Sequence, residues 1–335
     1  MGDKFRLGIV GIGQISIQSH LPAALSSYLV DVTAFIDPVK KRSERVAKKY
    51  GLAPIIVEKI EDILDGVDGV IIATPNQTHC NLAIKCAESG IHCLIEKPLS
   101  TTIDEAEAIV SCANKHNVVI AVGYATRFRN DVVAFKSILD SGYFGQVNRF
   151  IYQFGTVGGW APMSAYNLSK KLSGGGVLIV TGTHFIDRML YWFGYPSSYK
   201  YEDDSLGGPE ANCVVNVKYH KEGSSFDGEI RLSKTMSLEP GFVMETDRGV
   251  VIIKDSPPFN IVFRPSLSQG VESILTTRQK KHFDVKKNQF QLQLEDFVLA
   301  CQGEKKVMAD AQQGLESVRL ISELYRCRKQ LREEL

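Results

Sequence analysis

The stretch Phe5-Arg6-Leu7-Gly8-Ile9-Val10-Gly11-Ile12-Gly13-Gln14-Ile15-Ser16 governs the reading of the whole chain. Phe5 to Val10 is a short, mostly apolar run of the kind a buried strand makes, and it leads directly into a glycine turn followed by a helical pattern. In that setting Gly11 permits the tight turn, Gly13 lets the backbone approach a pyrophosphate, and the helix beyond, starting with Gln14 and Ile15, offers N–H groups to the anion. Ser16 replaces the third glycine with another small residue. A glycine turn without a ligand would look the same, so a second signal is needed. Asp37 provides it, roughly 20 residues further on and at the end of the next predicted strand, where a carboxylate can accept bonds from the adenosine ribose. A negative charge there repels the 2′-phosphate of NADP, which points to NAD as cofactor. Lys40, Lys41 and Arg42 follow and could hold that phosphate, so NADP stays open, as does a solvated helix start.

Outward from this turn, apolar runs alternate with amphipathic ones. Phe5 to Val10, Asp31 to Ile36, Gly69 to Ala73, His92 to Ile95 and Val118 to Val122 read as strands covered on both faces, with helical patterns between them. The β-α-β-α order predicts an α/β fold, a doubly wound parallel sheet of Rossmann type, over residues 1–124. After a helix from Arg127 to Ser141, longer strands are expected at Val147 to Val157, Asn212 to His220, Ser225 to Leu232, Gly241 to Asp247 and Val250 to Lys254. Short polar or glycine-containing links join several of them, and a helix is expected near Val177 to Phe193, so residues 125–335 predict an α+β domain with a large, mostly antiparallel open sheet. Pro257 to Lys287 reads as a long loop, and two helices close the chain, one around Leu294 and Phe297 and one around Leu320 and Leu324.

Composition narrows the partners. A length of 335 residues with 44% hydrophobic residues supports two cores, and a formal charge of +1 gives no global reason to expect nucleic acid or an acidic membrane. Seven scattered cysteines without a C-x-x-C pair suggest neither a disulfide framework nor a metal site. No apolar run is long enough to span a bilayer and no secretory leader is read, so a reducing cytoplasm is the expected compartment.

Several further motifs share an order and spacing: His20-Leu21-Pro22-Ala23, Ala73-Thr74-Pro75-Asn76 with His79, Glu96-Lys97-Pro98, and Gly174-Gly175-Gly176 leading to His184 and Asp187. Together with the glycine turn they resemble the glucose-fructose oxidoreductase, inositol dehydrogenase and rhizopine-catabolism (Gfo/Idh/MocA) family across nearly the whole chain. The resemblance implies a Rossmann domain and an α/β domain with nicotinamide and substrate meeting between them. It also implies a homodimer or homotetramer formed through the second domain's sheet, and a Lys-Pro bond that is typically cis. Cofactor contacts are expected from Gly11, Gly13, Gln14, Ile15, Asp37, Thr74, Pro75, Asn76, His79, Glu96 and Lys97.

Thr74, Lys97 and Tyr124 each follow a parallel strand, and ligands of such sheets bind beyond the carboxyl ends of the strands. A lone lysine is ordinarily a solvated charge. Lys97, at a strand end between Glu96 and Pro98, instead suits a cationic donor to the oxygen whose charge changes during hydride transfer. By resemblance His184 is the acid/base or substrate-orienting group, a task that suits an imidazole near neutral pH. Most members carry an aspartate one turn before that histidine; here the residue is Val180, on the same face at i−4 if the helix is regular. Tyr124 and Arg127 match a pocket-lining segment, Thr181 could hydrogen-bond there, and Trp160 and Tyr166 could cover a sugar ring or simply pack.

The expected activity is NAD(P)-dependent hydride transfer on a secondary alcohol or ketone of a sugar, sugar nucleotide or cyclitol. Two rivals stand beside it: a cofactor-holding regulatory or scaffold protein that lost turnover with the carboxylate at Val180, and an NAD-dependent glycosidase.

Overall fold

β1 (Phe5–Val10) is an inner strand of a six-stranded parallel sheet, in the order β3-β2-β1-β4-β5-β6. Its partners are β2 (Val30–Ile36), β3 (Ile55–Val57), β4 (Gly69–Ile72), β5 (His92–Ile95) and β6 (Ile120–Val122). The order reverses between β1 and β4, which is the switch point of a doubly wound sheet. These are coordinates of a computed structural model, which describes residues 4–158, 173–221, 223–267, 270–275 and 287–332. Both faces of the sheet are covered, one by α3 (His79–Glu88) and α4 (Ile103–His116), which follow strands with the capping box Thr102/Glu105 at the start of α4. Among the described residues no helix is long and apolar enough to cross a membrane.

The chain divides into two compact units, Met1–Phe128 with Phe283–Arg319, and Arg129–His282 with Leu320–Leu335. The division between these units falls at Phe128/Arg129, and residues 283–319 group with the first unit. The reason is apolar packing. In α7 (Gln289–Cys301), Leu294, Phe297 and Val298 pack with Phe5, Leu7, Ile71 and Leu94 of the first unit. In α8 (Ala311–Arg326), Leu315 and Val318 join the first unit's core, whereas Leu320, Ile321 and Leu324 join the second's.

The second unit is built on a nine-stranded sheet in the order β14-β13-β12-β11-β7-β10-β9-β8-β15. Its strands are β7 (Val147–Gly155), β8 (Ser198–Asp203), β9 (Asn212–Lys221), β10 (Ser224–Ser233), β11 (Leu238–Thr246), β12 (Gly249–Lys254), β13 (Ile261–Pro265), β14 (Ser273–Leu275) and β15 (Lys329–Gln330). Only β10–β7 and β15–β8 pair in parallel, so the sheet is mixed and mostly antiparallel, as expected. The loop expected from Pro257 to Lys287 instead contributes β13 and β14: Ile261 and Phe263 alternate into the core, and Pro265 closes β13 at its end.

One face of this sheet is buried beneath α5 (Asn130–Asp140) and α6 (Thr183–Phe193) through Phe135, Phe150, Tyr152, Trp192 and Phe242. The intervening residues point the other way. Ile151, Val243, Ile252, Val262 and Ile274 are cross-strand partners in succession, forming an apolar row across five strands in which Val243 is 38% and Ile274 62% exposed.

Beneath α6 lies a buried charge cluster. Asp255 accepts from Arg188 Nη1 at 2.8 Å, Arg129 Nη1 at 2.5 Å and the Tyr152 hydroxyl at 3.0 Å, and Arg129 also forks onto Asp131. Burial works to raise the Asp255 pKa, but the charges and hydrogen bonds of Arg188 and Arg129 outweigh it and leave the carboxyl below its ordinary value. Asp255→Ala leaves two buried guanidinium groups short of their anion and is expected to cost about 3–5 kcal/mol in denaturant unfolding. Because the folded-state pKa is depressed, this contribution is complete above the unfolded-state value. It is lost as pH falls through the folded value, so the wild type loses its advantage over Asp255→Ala in acid unfolding.

Candidate cofactor site and catalytic groups

The turn after β1 is shaped by close approach. Gly11 has φ +88°, and a side chain there would begin 2.5 Å from the Ala73 carbonyl oxygen at the end of β4, so only glycine fits. Open space surrounds the position where Gly13 would carry one. The helix starting at Gln14 opens with N–H groups that lack intrahelical partners by construction. A backbone cradle with this gap beside a helix start fits a pyrophosphate, and Gln14 and Ile15 are exposed on it. Ser16 is buried and donates to the Gly11 carbonyl at 2.5 Å, tying the turn to the helix. The first turns are not regular: Ser16–His20 is a π turn leading into α1 (Leu21–Ser26), where Pro22 has no N–H to give.

Asp37 directly follows β2. It is 1% exposed, with Oδ2 accepting from the Ile12 N–H and Oδ1 from the Val39 N–H, both at 2.8 Å. Arg42 Nη1 reaches both oxygens, at 3.0 and 3.3 Å, so every acceptor site of the carboxylate is occupied. Asp37 is the hub that joins the phosphate turn to the start of α2 (Lys40–Tyr50), and Arg42, at 40% side-chain exposure, carries the accessible charge.

The turns after β4 and β5 are fastened to each other. Thr74 and Thr78 share a hydrogen bond of 2.6 Å, Pro75 is exposed and Asn76 half-buried. His79, expected as a cofactor contact, is fully buried, its ring nitrogens 2.9 Å from the Pro98 carbonyl and 3.0 Å from the Thr74 carbonyl. Burial lowers its pKa against the pull of these carbonyls. It fixes both turns to each other. The Lys97–Pro98 bond is cis, as the resemblance implied.

Glu96 and Lys97 are half-buried, and their charges support one another. Burial lowers the Lys97 pKa while Glu96 raises it, with burial prevailing. Burial raises the Glu96 pKa, but His20 and Lys97 outweigh it, leaving the carboxyl below its ordinary value. Tyr124 and Arg127, expected to line a pocket, are both buried. Arg127 donates to the Met308 carbonyl at 2.9 Å and to Gln313 Oε1 at 2.8 Å, and Tyr124 belongs to the first unit's core, so both brace the segment after β6.

In the second unit, His184 is the second residue of α6 and is half-buried, as are Val180 and Thr181. Leu178–Gly182, which contains Val180 and Thr181, is a π turn where a regular helical turn was assumed, and α6 starts directly after it. Thr183 donates to the Ile179 carbonyl at 2.5 Å, and Arg188 Nε donates to the His184 carbonyl at 3.3 Å, tying α6 to the Asp255 cluster. Trp160 and Tyr166 lie outside the described residues.

Sequence reasoning missed two groups. Glu210, 1% exposed, accepts from the Gly176 N–H at 2.8 Å, the Leu178 N–H at 3.0 Å and the Tyr325 hydroxyl at 2.8 Å, capping the segment that leads to His184. Burial nevertheless raises its pKa against these bonds. Gly175 and Gly176 are glycines because side chains there would collide with Tyr325 and the Glu210 backbone, so the glycine run was the available signal. His20, named in the sequence only as part of a motif and given no role there, is the other, bonded to Glu96 at 2.8 Å.

Comparison with known proteins agrees with both units. Residues 5–124 match the oxidoreductase family's NAD-binding Rossmann fold, and residues 136–254 match its C-terminal alpha/beta domain. The rhizopine catabolism protein MocA of Rhizobium meliloti is 32% identical over 195 residues, 57% of this chain, which spans 58% of that protein's length. D-glucoside 3-dehydrogenase of Escherichia coli is 24% identical over 96% of this chain and 95% of its own. Among solved structures, an aldose-aldose oxidoreductase from Caulobacter crescentus complexed with glycerol shares the fold at TM-score 0.84 and 20% identity, covering 97% of each chain. With both of its domain models matched in order, the chain belongs to the Gfo/Idh/MocA oxidoreductase family, whose first domain is an NAD-binding Rossmann fold.

Proposed function

We propose that the chain is an NAD(P)-dependent oxidoreductase acting on a secondary alcohol, or its ketone, in a sugar, sugar nucleotide or cyclitol. The observation that carries this reading is Lys97, an ammonium partly withdrawn from water beside the Glu96 carboxylate, in a turn fastened by His79 to the neighbouring strand end. A cation so held stabilises negative charge developing on a substrate oxygen without having to reorganise. The nicotinamide, when bound, accepts or supplies the hydride. Gly11, Gly13 and the helix start at Gln14 hold the pyrophosphate, Thr74, Pro75 and Asn76 border the same strand ends, and His184 carries the proton to or from the hydroxyl oxygen. The names of the relatives, a glucoside dehydrogenase and a rhizopine catabolism protein, support a polyol or sugar as substrate.

Val180 favours a second reading, a cofactor-holding protein without turnover, because a valine can neither relay a proton nor stabilise an imidazolium at His184. An NAD-dependent glycosidase begins with the same hydride step. Following absorbance of reduced cofactor across sugars, cyclitols and nucleotide sugars, together with release of free sugar from glycosides, separates the three.

With the identified substrate, Lys97→Met is expected to lower kcat by about 10²- to 10³-fold while NAD still binds, as read by intrinsic fluorescence. Unchanged kcat would remove Lys97 from the reaction. At the adenosine end, Arg42→Ala uncovers Asp37 and removes the accessible cation, so the ratio of Kd for NADP to Kd for NAD should rise about tenfold. A flat ratio would mean that Arg42 does not meet the cofactor. The apolar row on the second unit's sheet is proposed to be covered by a second copy of the chain, in a dimer or tetramer. Light scattering should then find an oligomer for the wild type and monomer for Val243→Lys.

A further inference from the structure

We propose that His20 is a positioning residue for Lys97: from the pyrophosphate-binding helix its Nε2 fixes the Glu96 carboxylate in the orientation that keeps the Lys97 ammonium charged. The inference rests on the assignment of Lys97 above, and it begins with geometry. His20 is 1% exposed and ends the π turn that follows the glycine cradle. Its ring meets Phe290 edge-on, with centroids 5.4 Å apart, which sets its plane. Nε2 lies 2.8 Å from Glu96 Oε1, while Glu96 Oε2 accepts from the Lys97 N–H at 3.1 Å. With a donor on each oxygen the carboxylate cannot turn about its own axis.

The third side of the carboxylate is closed by Gly123, just past β6, where an added side chain would begin 2.9 Å from the Glu96 Cα and 3.1 Å from Oε2. Glu96 thus sits in a fitted slot formed by three separate segments. The charged and titratable groups facing it are His20 and Lys97, with His79 further off on the next turn; Phe290 and Gly123 bring none. Glu96 is a neighbouring charge that favours the ammonium form of Lys97. A carboxylate withdrawn from water and left to rotate would lose its partners at a cost, and its field at Lys97 would weaken. His20 prevents that rotation, so the element that cradles the cofactor also sets the charge at the proposed catalytic amine.

The test reads Lys97 directly and needs no substrate. The lysines of the intact chain are ¹³C-methylated and titrated by NMR, with the Lys97 signal assigned by its absence in Lys97→Arg. His20→Phe keeps the ring and its contact with Phe290 but removes the donor. It should lower the titration midpoint of Lys97 by about one pH unit, and Glu96→Gln should do the same. The double variant should go no lower than either single one, because both changes break one chain of interactions. His20→Gln, which restores an N–H donor, should recover at least part of the shift. A midpoint unmoved by His20→Phe, or single shifts that add in the double variant, overturns the proposal, as does a Glu96→Gln variant that leaves Lys97 unmoved. Because none of these readouts uses turnover, they stand apart from a failure of the oxidoreductase reading, which would appear as absent hydride transfer with Lys97 titrating as expected.

Discussion

Backbone N–H groups at the ends of strands and the starts of helices have no partner inside their own element, and burying one without a partner costs free energy. In this protein three carboxylates, two of them buried and the third half-buried, meet that demand. Asp37 takes the N–H groups of Ile12 and Val39, Glu96 takes that of Lys97, and Glu210 takes those of Gly176 and Leu178. Each carboxylate therefore shapes a loop before it acts on anything else. Each also needs a compensating donor of its own, and Arg42, His20 and Tyr325 supply these.

The residues proposed for the site are therefore also structural. The Asp37 carboxylate is saturated, and the accessible charge beside it is that of Arg42. Glu96 is bonded on both oxygens, which makes it a source of fixed negative potential for Lys97. Helix geometry is adapted in a parallel way. A π turn stands in each of the two helices that bear the site residues, Ser16–His20 in the first unit and Leu178–Gly182 in the second. Such turns often mark functional positions.

Much of the architecture was legible from pattern alone. The glycine turn, the alternation of apolar runs with helices and the later change to longer strands all come from local periodicity, which is a property of neighbouring residues. Glu96-Lys97-Pro98 and the Gly174-Gly175-Gly176 run could be picked out because their residue types are unusual in such positions. The strands β13 and β14 were hidden by Pro257, Pro258 and Pro265, which read as a loop until the neighbouring β12 supplies a partner. The return of residues up to Arg319 to the first core was equally hidden, since an amphipathic helix announces an apolar face without saying which core receives it.

By itself, then, the sequence determined the fold class, the glycine turn and the identity of the residues around it, because glycine, proline and the period of apolar residues act through local sterics. Tertiary structure alone decided which way those side chains face. His79, Tyr124 and Arg127 turn inward as braces, Asp37 is consumed by backbone N–H groups and Arg42, and His20, far from Glu96 in the chain, becomes its partner. The physical reason is that hydrogen bonding and burial are satisfied between residues distant in sequence, by whatever donor the fold brings within about 3 Å.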